Sequence, residues 1–262
     1  MLIAHLSDFH LYTRTPESSL VRADIVDVVR RIIADVSEFR PAIDAVVLTG
    51  DLTDGGTDHD YALLREVLSP LTMPIFAIPG NHDSREAFRR AFDDIRLFED
   101  SAFLQYEAKL GGVRILALDT VQDRSAKGVL CEQRLDWIEQ KLAQPFCGQT
   151  MILMHHPPHL SGIRFLDNIA LVEGSERLGS IVARYTGQVL ILCGHIHRPS
   201  QGLWNGALVG IAGSPAFKIE LDLHPHDDEP PLVDEPYAYF IHRLDALGGC
   251  SVHPRYVTIP GR

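Results

Sequence analysis

Ten side chains able to bind a cation or move a proton fall into five short groups: Asp8 with His10, Asp51, Asn81-His82-Asp83, His155 with His156, and His195 with His197. Each group follows a short apolar run. Carboxylate, carboxamide oxygen and neutral imidazole are ligands that hard and borderline divalent ions accept, and no thiolate belongs to the set. Taken alone, Asp-x-His reads more readily as a helix cap or a turn than as a metal site, and Gly-Asp is weaker still. Gly-Asn-His-Asp is also a plausible turn, yet five groups in the same position after a strand, closing on Gly-His-x-His, specify a metal cage.

The elements that must carry these groups are legible as apolar runs at Leu2 to Leu6, Ala45 to Leu48, Pro74 to Ile78, Val113 to Leu118, Met151 to Met154 and Val189 to Leu192. They read as buried strands. Helical periodicity separates several of them, most clearly from Ser18 to Phe39, where Leu20, Ile25, Val28, Val29, Ile32, Ile33 and Val36 form a stripe. Further helices are expected at Asp58 to Leu68, Ser84 to Phe92, Glu132 to Leu142 and Glu173 to Tyr185. The class is α/β. Carboxyl ends of strands in an open α/β sheet border the binding crevice, which would collect the five groups in one place. Residues two apart in extended chain point the same way, so Asp8 with His10, and His195 with His197, are each expected to approach a common centre.

Through Asp8-Phe9-His10, Gly50-Asp51, Gly80-Asn81-His82-Asp83, His155-His156-Pro157-Pro158 and Gly194-His195-Ile196-His197, in that order, the chain resembles the calcineurin-like metallophosphoesterase superfamily. The likeness is greatest to its class III cyclic-nucleotide phosphodiesterase and glycerophosphodiesterase branch. It implies a four-layer α-β-β-α sandwich, with residues 1–215 as the catalytic core and 216–262 as a cap-like loop and closing hairpin of the same domain. It also implies two divalent metal ions drawn from iron, manganese, zinc or cobalt. Asp8, His10 and His197 would hold one, Asn81, His155 and His195 the other, and Asp51 would bridge them. The family's spacing to proline selects His155 over His156.

On that reading a metal-activated water, its pKa lowered from about 15.7 to about 7, attacks phosphorus in line. His82, beside Asn81 but not itself a ligand, is the expected general acid for the leaving alkoxide. Asp83 or Asp54 could orient an imidazole, while His5, alternating with Ser7 on the first strand, and His156 each read either as a partner near the site or as a packed core histidine. Protein phosphatases of the superfamily carry an arginine in the second motif, whereas Leu-Thr-Asp-Gly-Gly follows Asp51 here. A diester therefore fits better than a phosphoprotein. Substrate candidates are 3′,5′-cyclic nucleotides, slightly ahead, then glycerophosphodiesters and 2′,3′-cyclic nucleotides; a phosphomonoesterase or a non-catalytic scaffold of the same fold is the alternative.

A net charge of -11 disfavours a polyanion such as DNA. Two dications and two aspartates nevertheless leave the site near +2, roughly, so a small phosphodiester is attracted locally. No apolar stretch approaches the length of a membrane span, and no basic segment with an apolar run opens the chain. A cytoplasmic enzyme, homo-oligomeric as its relatives suggest, is expected, with Cys131, Cys147, Cys193 and Cys250 reduced. Loops Leu11 to Ser19, Val121 to Val129 and Pro157 to Phe165 would choose the substrate; Arg14, Lys127 and Arg164 could meet its anion, but each reads more readily as a solvated surface cation. His224 to Glu235 reads as a projecting acidic loop, either a cap or a subunit contact, before a hairpin of Tyr237 to Leu244 and Cys250 to Ile259 turning at Ala246 to Gly249. His59, His159, His224, His226, His242 and His253 match no ligand position and read mostly as surface histidines.

Overall fold

The computed structural model describes residues 1–14, 20–93, 98, 102–245 and 247–259. Two sheets face each other. The first runs in the order β13 (Cys250–Val257), β12 (Tyr237–Leu244), β1 (Leu2–Leu6), β2 (Ala45–Thr49) and β3 (Ile75–Ile78). The second runs β10 (Ser200–Trp204), β11 (Ala207–Ile211), β9 (Val189–Cys193), β7 (Gln149–Leu153), β5 (Val113–Ala117) and β4 (Tyr106–Leu110). Strands β1, β2 and β3 are parallel, as are β5, β7, β9 and β11, while β12, β13, β4 and β10 are antiparallel edge additions.

Helices cover both outer faces, which is why the strands read as continuous apolar runs rather than alternating ones. On β1 and β2, Ala4, Leu6, Val46 and Leu48 pack outward in one core with α1 (Ile25–Glu38), α2 (Asp58–Leu68) and α3 (Arg85–Ala91). Their neighbours Ile3, Ala45 and Val47 turn inward, where they meet Ile115, Ala117, Met151, Leu153 and Leu192 of the second sheet. Leu116, Ile152 and Ile191 on that sheet's other face pack with Leu135, Ile138, Leu178 and Ile181 of α4 (Glu132–Ala143) and α6 (Ser175–Arg184). Three apolar interfaces thus separate four layers, α-β-β-α. The period-two alternation of the strands assigns each side chain to its interface.

The first helix begins at Ile25, with Asp24 before it engaging Arg22 by a hydrogen bond of 2.5 Å, rather than near Ser18, which lies outside the described residues together with Ala246 of the final turn. Strand β12 pairs antiparallel with β1, so the C-terminal segment is built into the first sheet. A short helix α5 (Arg164–Asp167) and a two-strand ribbon, β6 (Gly128–Val129) with β8 (Leu171–Glu173), complete the elements. Among the described residues no helix is long and apolar enough to cross a membrane.

Candidate metal centre

The donor groups come from both sheets, not from one crevice of an open sheet. Asp8 and His10 follow β1, Asp51 follows β2 and Asn81 follows β3, while His155 follows β7 and His195 with His197 follow β9. Backbone hydrogen bonds lock these exits together: Asp8 N–H donates to Gly50 O at 3.0 Å, His10 N–H to Asp51 O at 2.9 Å, and Gly194 N–H to His155 O at 3.0 Å. Between the sheets, the His195 N–H donates to both Asp8 carboxylate oxygens at 3.1 Å.

The backbone leaves the extended region where the donors start. Asp8, His10, Asp51, His195 and His197 have φ of 56°, 48°, 49°, 73° and 58°. Left-handed conformations at residues other than glycine cost on the order of 1 kcal/mol or more each and gather at functional sites. The direction of each i, i+2 pair is therefore set by left-handed backbone, not by the extended-chain effect expected from spacing. Asp8 and His10 do meet, but His195 and His197 part company and face different groups of donors. Glycines make the approach possible: a Cβ at Gly80 would land on the carboxylate and backbone of Asp51, and one at Gly194 on Ser7 and Asp8.

In the first group, His197 Nε2 lies 3.5 Å from Asp8 Oδ1 and 3.3 Å from His10 Nε2. In the second, Asn81 Oδ1 lies 3.1 Å from both His155 Nε2 and His195 Nδ1. Asp51 stands between them, with Oδ2 3.6 Å from His10 Nε2 and 3.4 Å from His155 Nε2, while its Oδ1 accepts from the His82 N–H at 2.8 Å. All seven residues singled out in the sequence are thus brought together.

The far side of each ring explains what these atoms are for. His155 Nδ1 donates to Thr49 O at 2.7 Å, His197 Nδ1 to Phe217 O at 3.1 Å, and His10 Nδ1 to Asp54 Oδ1 at 3.1 Å. Each hydrogen bond turns the other nitrogen toward the centre, the arrangement that second partners impose on metal-bound histidines. With their Nδ1 protons spent on Asp54 and Phe217, the Nε2 atoms of His10 and His197 face each other at 3.3 Å beside the Asp8 and Asp51 oxygens, without protons enough to join them. His195 turns Nδ1, not Nε2, to the centre, 3.1 Å from Asn81 Oδ1. Acceptors aimed at acceptors in a buried pocket fit a pair of divalent cations.

Electrostatics follow from that crowding. Burial, aided by the nearby Asp51, raises the Asp8 carboxyl to about 6 against the opposing His155. Burial opposes the charge on His155, but Asp51 overcomes it and holds that imidazole up to about 9. His195 goes down to about 3, first by burial and then by His155. Burial and the neighbouring His10 likewise push His197 well below the usual histidine range, which leaves both rings neutral.

His82 projects at the rim with 43 % of its side chain exposed, and its Nδ1 is 3.3 Å from Asp54 Oδ1. Burial works against its charged form, but Asp51 and Asp54 prevail and raise it to about 10. Asp54 is thus the orienting carboxylate. Asp83 instead pins backbone, accepting from Leu52, Thr53 and Gly80 N–H groups and from the Tyr61 hydroxyl at 2.7 Å. His156 joins His155 and His195 within reach of one cation, yet both its nitrogens are engaged, Nδ1 by Thr120 Oγ1 at 2.7 Å and Nε2 by Ala126 O at 3.1 Å. His5 is buried and bonded to Thr49 Oγ1 at 2.9 Å. Arg164 is paired with Asp227 at 2.7 Å, and Arg198 with Glu235 at 3.0 Å, which ties the acidic loop down at both ends.

Sequence reading missed Phe217, whose ring lies 4.0 Å from the His197 ring and 5.7 Å from that of His10. It also placed His242 at the surface, although the residue is fully buried between the sheets, 5.5 Å from His5.

The calcineurin-like phosphoesterase family model matches residues 1–199, three quarters of the chain and every donor position. The chain belongs to the calcineurin-like phosphoesterase family. Within it, the glycerophosphodiester phosphodiesterase GpdQ of Enterobacter lignolyticus is 31% identical over 277 aligned positions, covering 99% of this chain and 97% of that protein. The 3′,5′-cyclic adenosine monophosphate phosphodiesterase CpdA of Escherichia coli K12 is 28% identical over 204 positions, covering 78% of this chain and 72% of its own. The crystal structure of a dimetal phosphatase from Danio rerio superposes with a TM-score of 0.68 at 16% identity, over 94% of this chain and 93% of that one, and shares the fold.

Proposed function

We propose that this protein is a two-metal phosphodiesterase acting on small phosphodiesters. The observation that carries the reading is Asp51 Oδ2, facing His10 Nε2 at 3.6 Å and His155 Nε2 at 3.4 Å, between two groups of inward-turned acceptors. Asp8, His10 and His197 would hold one cation, Asn81, His155 and His195 the other, and Asp51 both. When bound, such a pair supplies Lewis acidity, bringing a water's pKa near 7 and neutralising charge on the phosphoryl oxygens. Iron, manganese, zinc and cobalt all suit these donors.

The chain's own residues do the rest. Asp54 takes the Nδ1 side of His82, so Nε2 is the nitrogen left to meet the leaving oxygen, and the raised pKa keeps its proton in place at neutral pH. Thr49, Phe217 and Asp54 keep the donor rings from turning. Among substrates we favour glycerophosphodiesters over 3′,5′-cyclic nucleotides, because the likeness to GpdQ extends over 99% of the chain and the likeness to CpdA over 78%.

A kinetic panel tests this. Under one metal condition, kcat/KM is compared for glycerophosphoethanolamine, cyclic AMP, 2′,3′-cyclic AMP and bis(p-nitrophenyl) phosphate. Glycerophosphoethanolamine is expected to lead the natural substrates; cyclic AMP ahead by tenfold would reverse the assignment. Failure of every diester after manganese reconstitution would leave a phosphomonoesterase or a non-catalytic scaffold.

A further inference from the structure

His156 sits next to a donor yet has both ring nitrogens committed elsewhere. A carbonyl only accepts, so the ring carries its proton on Nε2 and donates to Ala126 O at 3.1 Å. Nδ1 then accepts from the Thr120 hydroxyl at 2.7 Å. The faces of the ring are used as well, with His195 at 4.5 Å between centroids and His155 edge-on at 4.8 Å. A Cβ at Gly128 would collide with the imidazole, so the chain returns across the ring where only glycine fits. Thr120 O accepts from Val129 N–H at 2.9 Å and closes the same loop from its other end.

From this arrangement we infer that His156 is a positioning residue, which fixes the segment 121–129, a loop ending in β6, against the His155 and His195 donors as one wall of the substrate pocket. The inference rests on the proposed phosphodiesterase reading for its kinetic arm alone. Three of its contacts act in concert: the hydrogen bond to Ala126 holds the loop, Thr120 sets the ring's tilt, and His195 braces the ring's face. Lys127, adjoining Ala126, is exposed and lies on the held segment. A freed loop would leave the donors in place but lose the wall, so the loss appears in KM more than in kcat.

The test uses the full chain as His156→Phe, which keeps an aromatic ring on His195 but neither hydrogen bond, with His156→Gln as the conservative variant able to donate and accept. Thr120→Val, nearly isosteric, removes the hydroxyl alone and covers the case in which His156→Phe does not fold. Amide hydrogen exchange of residues 121–129 is read on metal-free protein, independently of any activity, and is expected to accelerate at least tenfold in His156→Phe and Thr120→Val. Manganese content stays at the wild-type level, and KM for bis(p-nitrophenyl) phosphate rises about tenfold with kcat changed less than threefold. His156→Gln restores most of the protection. Unchanged exchange in both variants overturns the positioning role. Loss of manganese in His156→Phe makes His156 a ligand and also overturns it. Wild-type protein inert on the diester, with the exchange pattern as expected, would sink the phosphodiesterase reading and leave the loop assignment intact.

Discussion

Oδ1 of Asp54 lies 3.3 Å from Nδ1 of His82, and the same oxygen lies 3.1 Å from Nδ1 of His10. One carboxylate therefore orients both the candidate proton donor and a candidate metal ligand. His82→Ala is expected to keep its cations while kcat on an alkoxide-leaving diester falls by about 10²–10⁴. The effect on bis(p-nitrophenyl) phosphate should be far smaller, since p-nitrophenolate leaves without help. A His82→Ala protein that loses its metals would show the role to be wrong.

Asp54→Asn separates the two duties. Against burial, the charge of Asp51 and then the hydrogen bonds and charge of Asp54 raise the His82 pKa, so neutralising Asp54 moves the alkaline limb of the kcat profile to lower pH. Through His10 the same change weakens cation binding by about 10–100-fold. Measured pH profiles and metal titrations report the two effects independently. An unmoved alkaline limb would contradict the pairing.

Cation uptake should release a proton. Without metal, Asp51 holds His155 up to about 9 against the effect of burial, so the ring is protonated at pH 7. A ligand nitrogen must give that proton up. Affinity then rises with pH up to about 9, roughly tenfold per unit below it. Calorimetry in buffers of different ionisation enthalpy counts the protons; none released at pH 7 would refute the site's charge arrangement.

The polar runs at strand ends were legible because a strand buried on both faces has to end where a polar side chain is wanted, and five of the six apolar runs marked those ends. Sheet membership was not legible. Nothing local in Asp8 or His195 says that β1 and β9 belong to opposite sheets, nor that left-handed backbone sends His195 and His197 to different donor groups. Phe217 reaches His197 only because the chain folds back after β11, a tertiary fact. His242 looked like a tail histidine, and only the pairing of β12 with β1 buries it.

That burial carries its own pH dependence. Burial pushes His242 down to about 3, well under its unfolded value near 6.5. A histidine depressed in the folded state contributes stability that is present above about pH 6.5 and is lost as pH falls toward 3. At pH 5 the loss is on the order of 2 kcal/mol for the metal-free protein. His242→Phe should flatten the urea midpoint between pH 7 and pH 5. An unchanged slope in the variant would assign the acid sensitivity to other groups.

Titration of chelator-treated protein with manganese, read as hydrolysis of bis(p-nitrophenyl) phosphate, tests the two-metal centre most directly. Activity is expected to be absent without metal, to saturate at about two equivalents per chain, and to stay absent in Asp51→Ala at any manganese concentration. Activity that survives chelation, saturates at about one equivalent, or persists in Asp51→Ala would contradict a shared centre bridged by that carboxylate.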